Sequence, residues 1–117
     1  MLPYWLHFII FVIIMRVIAI KTLKIGYKNY PAAKQALLAW NEEAELAIWQ
    51  SPNELKDQYI SASLISSKRV IFNIHGNKFR LIVDIEYRLG IVFIVWFGTH
   101  DQYNSIDAKK IKYVKAN

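Results

Sequence analysis

Three consecutive segments rich in β-branched and other apolar residues constrain the fold more than any other feature of this sequence. They read RVIFNI (69–74), FRLIVDIEY (79–87) and IVFIVWF (91–97), and they are separated only by HGNK and RLG. Each of these connections contains a glycine, as tight hairpin turns often require. Because strands joined by tight turns pair antiparallel, the sequence predicts a three-stranded antiparallel sheet.

The first hairpin also fixes which side chains share a face. If Gly76 and Asn77 form a two-residue turn, Asn73 lies opposite Arg80 and Arg69 lies opposite Asp84. A shift of one residue would put Arg80 into the core, so the register is well specified. The face expected to meet the helices carries Phe72, Ile74, Phe79, Leu81, Val83 and Ile85. The other face is expected to carry Arg69, Asn73, His75, Lys78, Arg80, Asp84 and Glu86.

The end of the last strand falls beside the start of the strand before it. After the turn at Gly90 the chain returns antiparallel, which brings Gly98, Thr99 and His100 back to Arg80. We therefore expect Asn73, Arg80 and His100 to converge at one end of the non-helical face.

The N-terminal half is expected to be mostly helical. Leu23, Tyr27 and Tyr30 recur at helical spacing and predict a short helix ending near Pro31. The apolar positions Leu37, Trp40, Ala44, Ala47 and Ile48 predict an amphipathic helix of about five turns over 32–50. Other expected elements are a strand at 16–20, a capped helix at 52–58 introduced by SPNE, and a loop at SASLISS.

This order of elements defines an α+β fold. It runs β-α-α-β-β-β, with a further short helix before the second strand, and the helices pack on one face of a small, mainly antiparallel sheet. A chain of 117 residues has room for one such domain, which we place at 15–108, followed by a basic tail at 109–117. The tail is expected either to steer phosphates or to be an unstructured solubilising end.

The first fourteen residues, MLPYWLHFIIFVII, differ from the rest of the sequence. They contain no Lys or Arg, and the apolar run ends at Arg16, short of the ~20 residues that span a bilayer. The segment is therefore expected to be an apolar extension upstream of a start at Met15. An interfacial or membrane anchor is the competing interpretation.

Charge and composition narrow the classes of function. The formal net charge of +6 favours a polyanionic partner such as nucleic acid or an acidic protein. The absence of cysteine excludes disulfides, thiolate nucleophiles and Cys-ligated zinc. Three scattered histidines do not predict a metal site, so no metal or other cofactor is expected.

Arg80, His100 and Tyr103 are the candidate catalytic residues. A guanidinium can hold phosphoryl oxygens, while an imidazole or phenol transfers protons, so the combination suits cleavage of a phosphodiester. Each residue also has a structural interpretation: Arg80 as an ion-paired strand residue, His100 as a strand terminator and Tyr103 as an aromatic at the edge of the core. The residue pattern alone thus predicts no more than a basic α+β domain.

Two motifs resemble the HigB family of toxins within the RelE/ParE superfamily. The first is VIFNIHGNKFRLIV, which contains Phe72-Asn73-Ile74, Gly76-Asn77 and Lys78-Phe79-Arg80-Leu81. The second is Thr99-His100-Asp101-Gln102-Tyr103. The resemblance extends over residues 15 to about 108, including SPNELK, and leaves out residues 1–14.

The resemblance implies a ribosome-dependent mRNA endoribonuclease. Such a toxin cuts mRNA in the ribosomal A site, without a metal, by attack of a 2′-hydroxyl. Arg80 would stabilise the phosphorane, His100 or Tyr103 would be the acid or base, and Asn73 and Lys78 would position the RNA backbone. Lys68 and Arg69 are further candidates for substrate binding, although Arg69 is also expected to pair with Asp84.

The expected partners and location follow from the same resemblance. A helix-turn-helix antitoxin of the HigA type would neutralise the toxin, and the complex would bind its own operator DNA through the antitoxin. The protein would act in the cytoplasm and not at a membrane. The alternatives are a gyrase-type inhibitor of the same superfamily and a binding module without catalysis.

Three positions depart from the family pattern. Val95 stands where a basic residue is frequent, and Gln102-Tyr103-Asn104 stands where Glu-Tyr-Asp is more usual. Weaker catalysis, an altered antitoxin contact and an inactive copy all remain open on this basis.

Overall fold

A computed structural model describes residues 14–114 of the chain. The expected apolar extension therefore lies outside the described residues, except for Ile14, as do the last three residues of the basic tail. The elements are β1 (Arg16–Ile18), α1 (Lys21–Asn29), a 3-10 turn (Pro31–Ala33), α2 (Lys34–Leu46), α3 (Pro52–Gln58), β2 (Ser63–Leu64), β3 (Arg69–Ile74), β4 (Phe79–Glu86), β5 (Ile91–Thr99) and α4 (His100–Asn104). No helix within residues 14–114 is long and apolar enough to cross a membrane.

The strands form one five-stranded sheet in the order β1-β5-β4-β3-β2. β5 pairs antiparallel with β4, β4 with β3, and β3 with β2, whereas β1 runs parallel to β5. The expectation of an α+β fold with a mainly antiparallel sheet is confirmed.

The helices cover one face of this sheet. Leu37, Trp40 and Ala44 of α2 and Leu55 of α3 are buried in the same cluster as the strand residues Phe72 and Leu81. The other inward strand residues predicted from parity, Ile74, Phe79, Val83 and Ile85, belong to this cluster too.

The register of the central hairpin is the one predicted. Asn73 pairs with Arg80, and Arg69 pairs with Asp84. The turn differs in detail, because the positive φ values fall at His75 (54°) and Gly76 (64°) rather than at Gly76 and Asn77. The Lys78 amide still donates to the His75 carbonyl, at 3.3 Å, so the alternation of faces is unchanged.

The predicted long helix at 32–50 was wrong in length. α2 ends at Leu46, and Ala47 is extended, with φ −71° and ψ 153°. Because the helix ends at Leu46, the Ala47 carbonyl can accept a hydrogen bond from the Met15 amide at 3.0 Å. The buried Trp49 indole likewise donates to Gln58 Oε1 at 2.9 Å. Ile48, predicted to lie on the buried face, is 51% exposed as a result.

The predicted loop at SASLISS was also wrong in part. Ser63 and Leu64 form a short edge strand that pairs with Ile71 and Val70. Both edge residues are exposed, so no apolar alternation marks the strand in the sequence. The helix predicted at 52–58 is confirmed as α3, and its Ser51 side chain accepts from the Glu54 amide at 3.3 Å.

The second face of the sheet is covered by the C-terminal segment. Ile71, Ile82 and Val95 are buried there. The partly buried residues packed against them include Trp96, Tyr103, Ile106 and Ile111. Residues 106–111 therefore cover this face, and the lysines of this stretch project from a packed segment.

Candidate active site

The candidate site lies at the end of the sheet where β3 and β5 end and β4 begins. Asn73 pairs with Arg80, and Arg80 pairs in turn with Gly98, so the three residues form one row across three strands. The next residues extend the row, because the His100 amide donates to the Lys78 carbonyl at 2.9 Å. The convergence of Asn73, Arg80 and His100 thus follows from the strand register. We call this group, with Lys78 and Tyr103, the Arg80 site.

The guanidinium of Arg80 is held in place from one side. Its Nη1 donates to the Asn77 and Phe79 carbonyls, both at 3.1 Å, and its Nη2 donates to the Asn77 side-chain oxygen. The guanidinium carbon lies 5.8 Å from the centre of the Tyr103 ring, within cation–π range. Within residues 14–114 the Nε–H of Arg80 has no hydrogen-bond partner, so the group is oriented and still has a donor for an anion.

The two proton-transfer candidates lie on α4, a helix that was not predicted from the sequence. His100 is the first residue of this five-residue helix, and Tyr103 lies one turn later. Both side chains are partly exposed, and the Tyr103 ring lies 6.4 Å from the Trp96 ring. The imidazole of His100 makes no hydrogen bond to any group within the described part of the chain. The site therefore offers a cation, an imidazole and a phenol at an open end of the sheet.

A capping box begins α4, and its signature is visible in the sequence. Thr99 and Gln102 have the T-x-x-Q spacing in which each residue caps the other. The Gln102 amide donates to Thr99 Oγ1 at 3.1 Å, and the Thr99 amide donates to Gln102 Oε1 at 2.9 Å. Read as a capping box, this motif would have predicted the helix that carries His100 and Tyr103.

Lys68 and Arg69 lie away from the Arg80 site. Arg69 is four residues from Asn73 along β3, a separation of about 13 Å. Its guanidinium pairs with both Asp84 oxygens, at 2.8 and 2.9 Å, and this hydrogen bonding raises the pKa of Arg69. Lys68 is exposed at the same end of the strand.

Arg69 also fastens the C-terminal segment to the sheet. Its Nη1 donates to the carbonyls of Ala108, Lys109 and Ile111, at 3.1, 3.3 and 2.7 Å. The donors that would bind a phosphate are thus occupied by groups of the protein itself. The expected Arg69–Asp84 pair is confirmed, and its surroundings indicate a structural role.

The three departures from the family pattern have distinct environments. Val95 is the extra residue of a β-bulge, since Ile82 pairs with Trp96 and Val83 pairs with Ile94. It is 5% exposed, so this position serves the core of the second face. Gln102 caps α4, as described above, and Asn104 is exposed at the end of that helix.

Among residues 14–114, no group of three or more His, Asp or Glu side chains is arranged to hold a metal ion.

A protein-family model matches a large part of this chain. The model of a family described as "HigB_toxin, RelE-like toxic component of a toxin-antitoxin system" matches residues 33–106, which is more than half of the chain. The matched region begins just before α2 and includes every residue of the Arg80 site. No curated protein matches the chain.

Proposed function

This chain belongs to the HigB toxin family, the RelE-like toxic components of toxin–antitoxin systems, and from this premise we propose that it is a ribosome-dependent mRNA endoribonuclease. The observation that carries the proposal is the convergence of Arg80, His100 and Tyr103 at one open end of the sheet. The net charge of +6 suits a protein that must approach ribosomal RNA and mRNA.

The reaction needs no group beyond those of the site and the RNA. The 2′-oxygen of a ribose attacks the adjacent phosphorus, and the bond from phosphorus to the 5′-oxygen breaks. A base takes the proton of the 2′-hydroxyl, and an acid gives a proton to the departing 5′-oxygen. The products are a 2′,3′-cyclic phosphate and a 5′-hydroxyl.

The role assigned to Arg80 is to stabilise the negative charge that develops on the phosphorane. A guanidinium held by Asn77 and Phe79 is already oriented, so little reorganisation is needed when negative charge builds up on the phosphoryl oxygens. His100 and Tyr103 share the acid and base roles. Asn73 and Lys78 are exposed beside them and are assigned to the RNA backbone.

Membership of the HigB toxin family indicates what kind of protein binds this chain. As the toxic component of a toxin–antitoxin system, the chain has an antitoxin as its partner. We propose that this antitoxin is of the HigA type, with a helix-turn-helix fold through which the complex binds its operator DNA. A ribosomal substrate implies that the toxin acts in the cytoplasm.

Expression of the full chain without an antitoxin, followed by mapping of mRNA 5′ ends, tests the proposal. We expect growth arrest and new 5′ ends within translated codons for the wild type, and neither for Arg80→Ala or His100→Ala. Arg88→Ala is the matched control, because it removes the same charge from an exposed turn at the opposite end of β4. Growth arrest with intact mRNA would instead support the gyrase-type alternative and contradict the nuclease.

A further inference from the structure

Three of the hydrogen bonds of Gln102 hold the start of α4 in place. Its amide N–H donates to Thr99 Oγ1, and its side-chain Oε1 accepts from the Thr99 amide. Its side-chain Nε2 donates to the hydroxyl of Tyr30 at 3.0 Å. Gln102 therefore closes the capping box and also ties α4 to Tyr30, the residue that follows the end of α1.

The helix depends on these bonds because it is short. A helix of five residues cannot support itself, since even isolated helices about twice that length are marginal in water. The capping box satisfies backbone donors that a helix start otherwise leaves without partners. Tyr30 in turn packs against the buried Phe79, with ring centres 5.5 Å apart. The hydrogen bond from Gln102 to Tyr30 therefore connects α4 to the hydrophobic core.

The neighbouring glycine leaves room for the Gln102 side chain. A Cβ on Gly98 would lie 2.6 Å from Gln102 Oε1 and 2.5 Å from the Trp96 ring, closer than side-chain atoms approach. Gly98 is also the residue paired with Arg80. The backbone position that pairs with Arg80 in the sheet thus also leaves space for the side chain that holds α4.

We propose that Gln102 is a positioning residue, which fixes His100 and Tyr103 against Arg80. His100 and Tyr103 lie two residues before and one residue after Gln102, on the helix that Gln102 caps. A displacement of about 1 Å can cost about a hundredfold in rate, so the orientation of α4 controls the chemistry. This inference rests on the proposed nuclease function.

The chemistry of the cap predicts which substitutions are tolerated. In Gln102→Glu, one carboxylate oxygen can accept from the Thr99 amide, and the other can accept from Tyr30, because a phenol donates as readily as it accepts. Gln102→Ala removes both side-chain bonds. Tyr30→Phe removes only the tether and leaves the capping box intact.

The first test is a split of kinetic parameters on translating ribosomes. Gln102→Ala should lower kcat by about 10- to 100-fold with KM within about twofold. Gln102→Glu should keep kcat within about threefold of wild type, and Tyr30→Phe should fall between the two. A wild-type kcat in Gln102→Ala, an equal loss in Gln102→Glu, or an effect on KM alone would overturn the proposal.

Two controls separate positioning from loss of stability. Ser51→Ala removes the equivalent cap of α3, far along the chain from the site, and should leave kcat unchanged. Gln35→Ala removes an exposed glutamine on α2 and should also have no effect. If Ser51→Ala lowers kcat as much as Gln102→Ala does, the effect is one of general stability and the proposal fails.

An NMR measurement tests the positioning without relying on cleavage. We expect protection of the Thr99 amide from exchange, and the contact between the Arg80 side chain and the Tyr103 ring, in the wild type and Gln102→Glu. Both should be lost in Gln102→Ala. If the wild type cuts no mRNA but the NMR results are as expected, the proposed function fails and the positioning role of Gln102 stands. If the Thr99 protection and the Arg80–Tyr103 contact both persist in Gln102→Ala, the positioning role fails.

Discussion

Arg69→Met should destabilise the fold without disabling the site. The substitution keeps the alkyl stem but removes the guanidinium that pairs with Asp84 and holds the carbonyls of Ala108 and Ile111. The side chains of Arg69 and Asp84 are 12% and 23% exposed. The pair is therefore better shielded than a surface ion pair but still reached by water.

The expected decrease in the free energy of unfolding of Arg69→Met lies between two limits. An exposed ion pair contributes about 0–1 kcal/mol, whereas removing one partner of a buried pair costs about 3–5 kcal/mol. The intermediate exposure, together with the lost bonds to the C-terminal segment, gives about 2–3 kcal/mol. For a domain of this size, this corresponds to a fall in Tm of roughly 10 °C.

Urea denaturation followed by tryptophan fluorescence measures the loss, with Arg88→Met as the control for charge. A double-mutant cycle with Asp84→Asn should give a coupling of about 1–2 kcal/mol, because the two side chains interact directly. Well below the melting temperature, kcat/KM should stay within about twofold of wild type. A change in stability below about 0.5 kcal/mol, or a large loss of activity in the folded variant, would refute the structural role and favour Arg69 as a substrate-binding residue.

Three further perturbations test other parts of the fold. Gly98→Ala should cost about 1–3 kcal/mol in urea denaturation, because the new Cβ would lie 2.5 Å from the Trp96 ring. Phe72→Ala should cost about 3–5 kcal/mol in the same assay, since this ring is 1% exposed. Burial, followed by its hydrogen bond to Glu43, raises the pKa of Tyr59 above its ordinary value of 10.0. The unfolded state therefore loses this proton first, and the free energy of unfolding should fall as the pH rises above about 10, less steeply in Tyr59→Phe.

The central hairpin was predictable because its signals are local and agree with one another. Period-2 alternation and a glycine turn admit only one register that keeps Arg80 out of the core. That register then placed Asn73, Arg80 and His100 together across three strands. The core of the candidate site could thus be predicted before any coordinates.

Other parts of the structure depend on contacts that leave little trace in the sequence. The parallel pairing of β1 with β5 joins residues 75 positions apart, as in Arg16 with Ile91. β2 is exposed on both sides, so it shows no alternation. The packing of Ile106 and Ile111 on the second face is masked by the lysines between them. α4 is too short to show a helical period, although its T-x-x-Q capping box can be recognised in the sequence.

The identity of the RNA ends tests the central claim most directly. Translating ribosomes should be incubated with the purified full-length protein, and the upstream mRNA fragments captured by a ligase that requires a 2′,3′-cyclic phosphate. The account predicts cyclic-phosphate ends with the wild type and Arg88→Ala, and none with Arg80→Ala or His100→Ala. Fragments with 3′-hydroxyl and 5′-phosphate ends, or cyclic-phosphate ends that persist in both site variants, would contradict it.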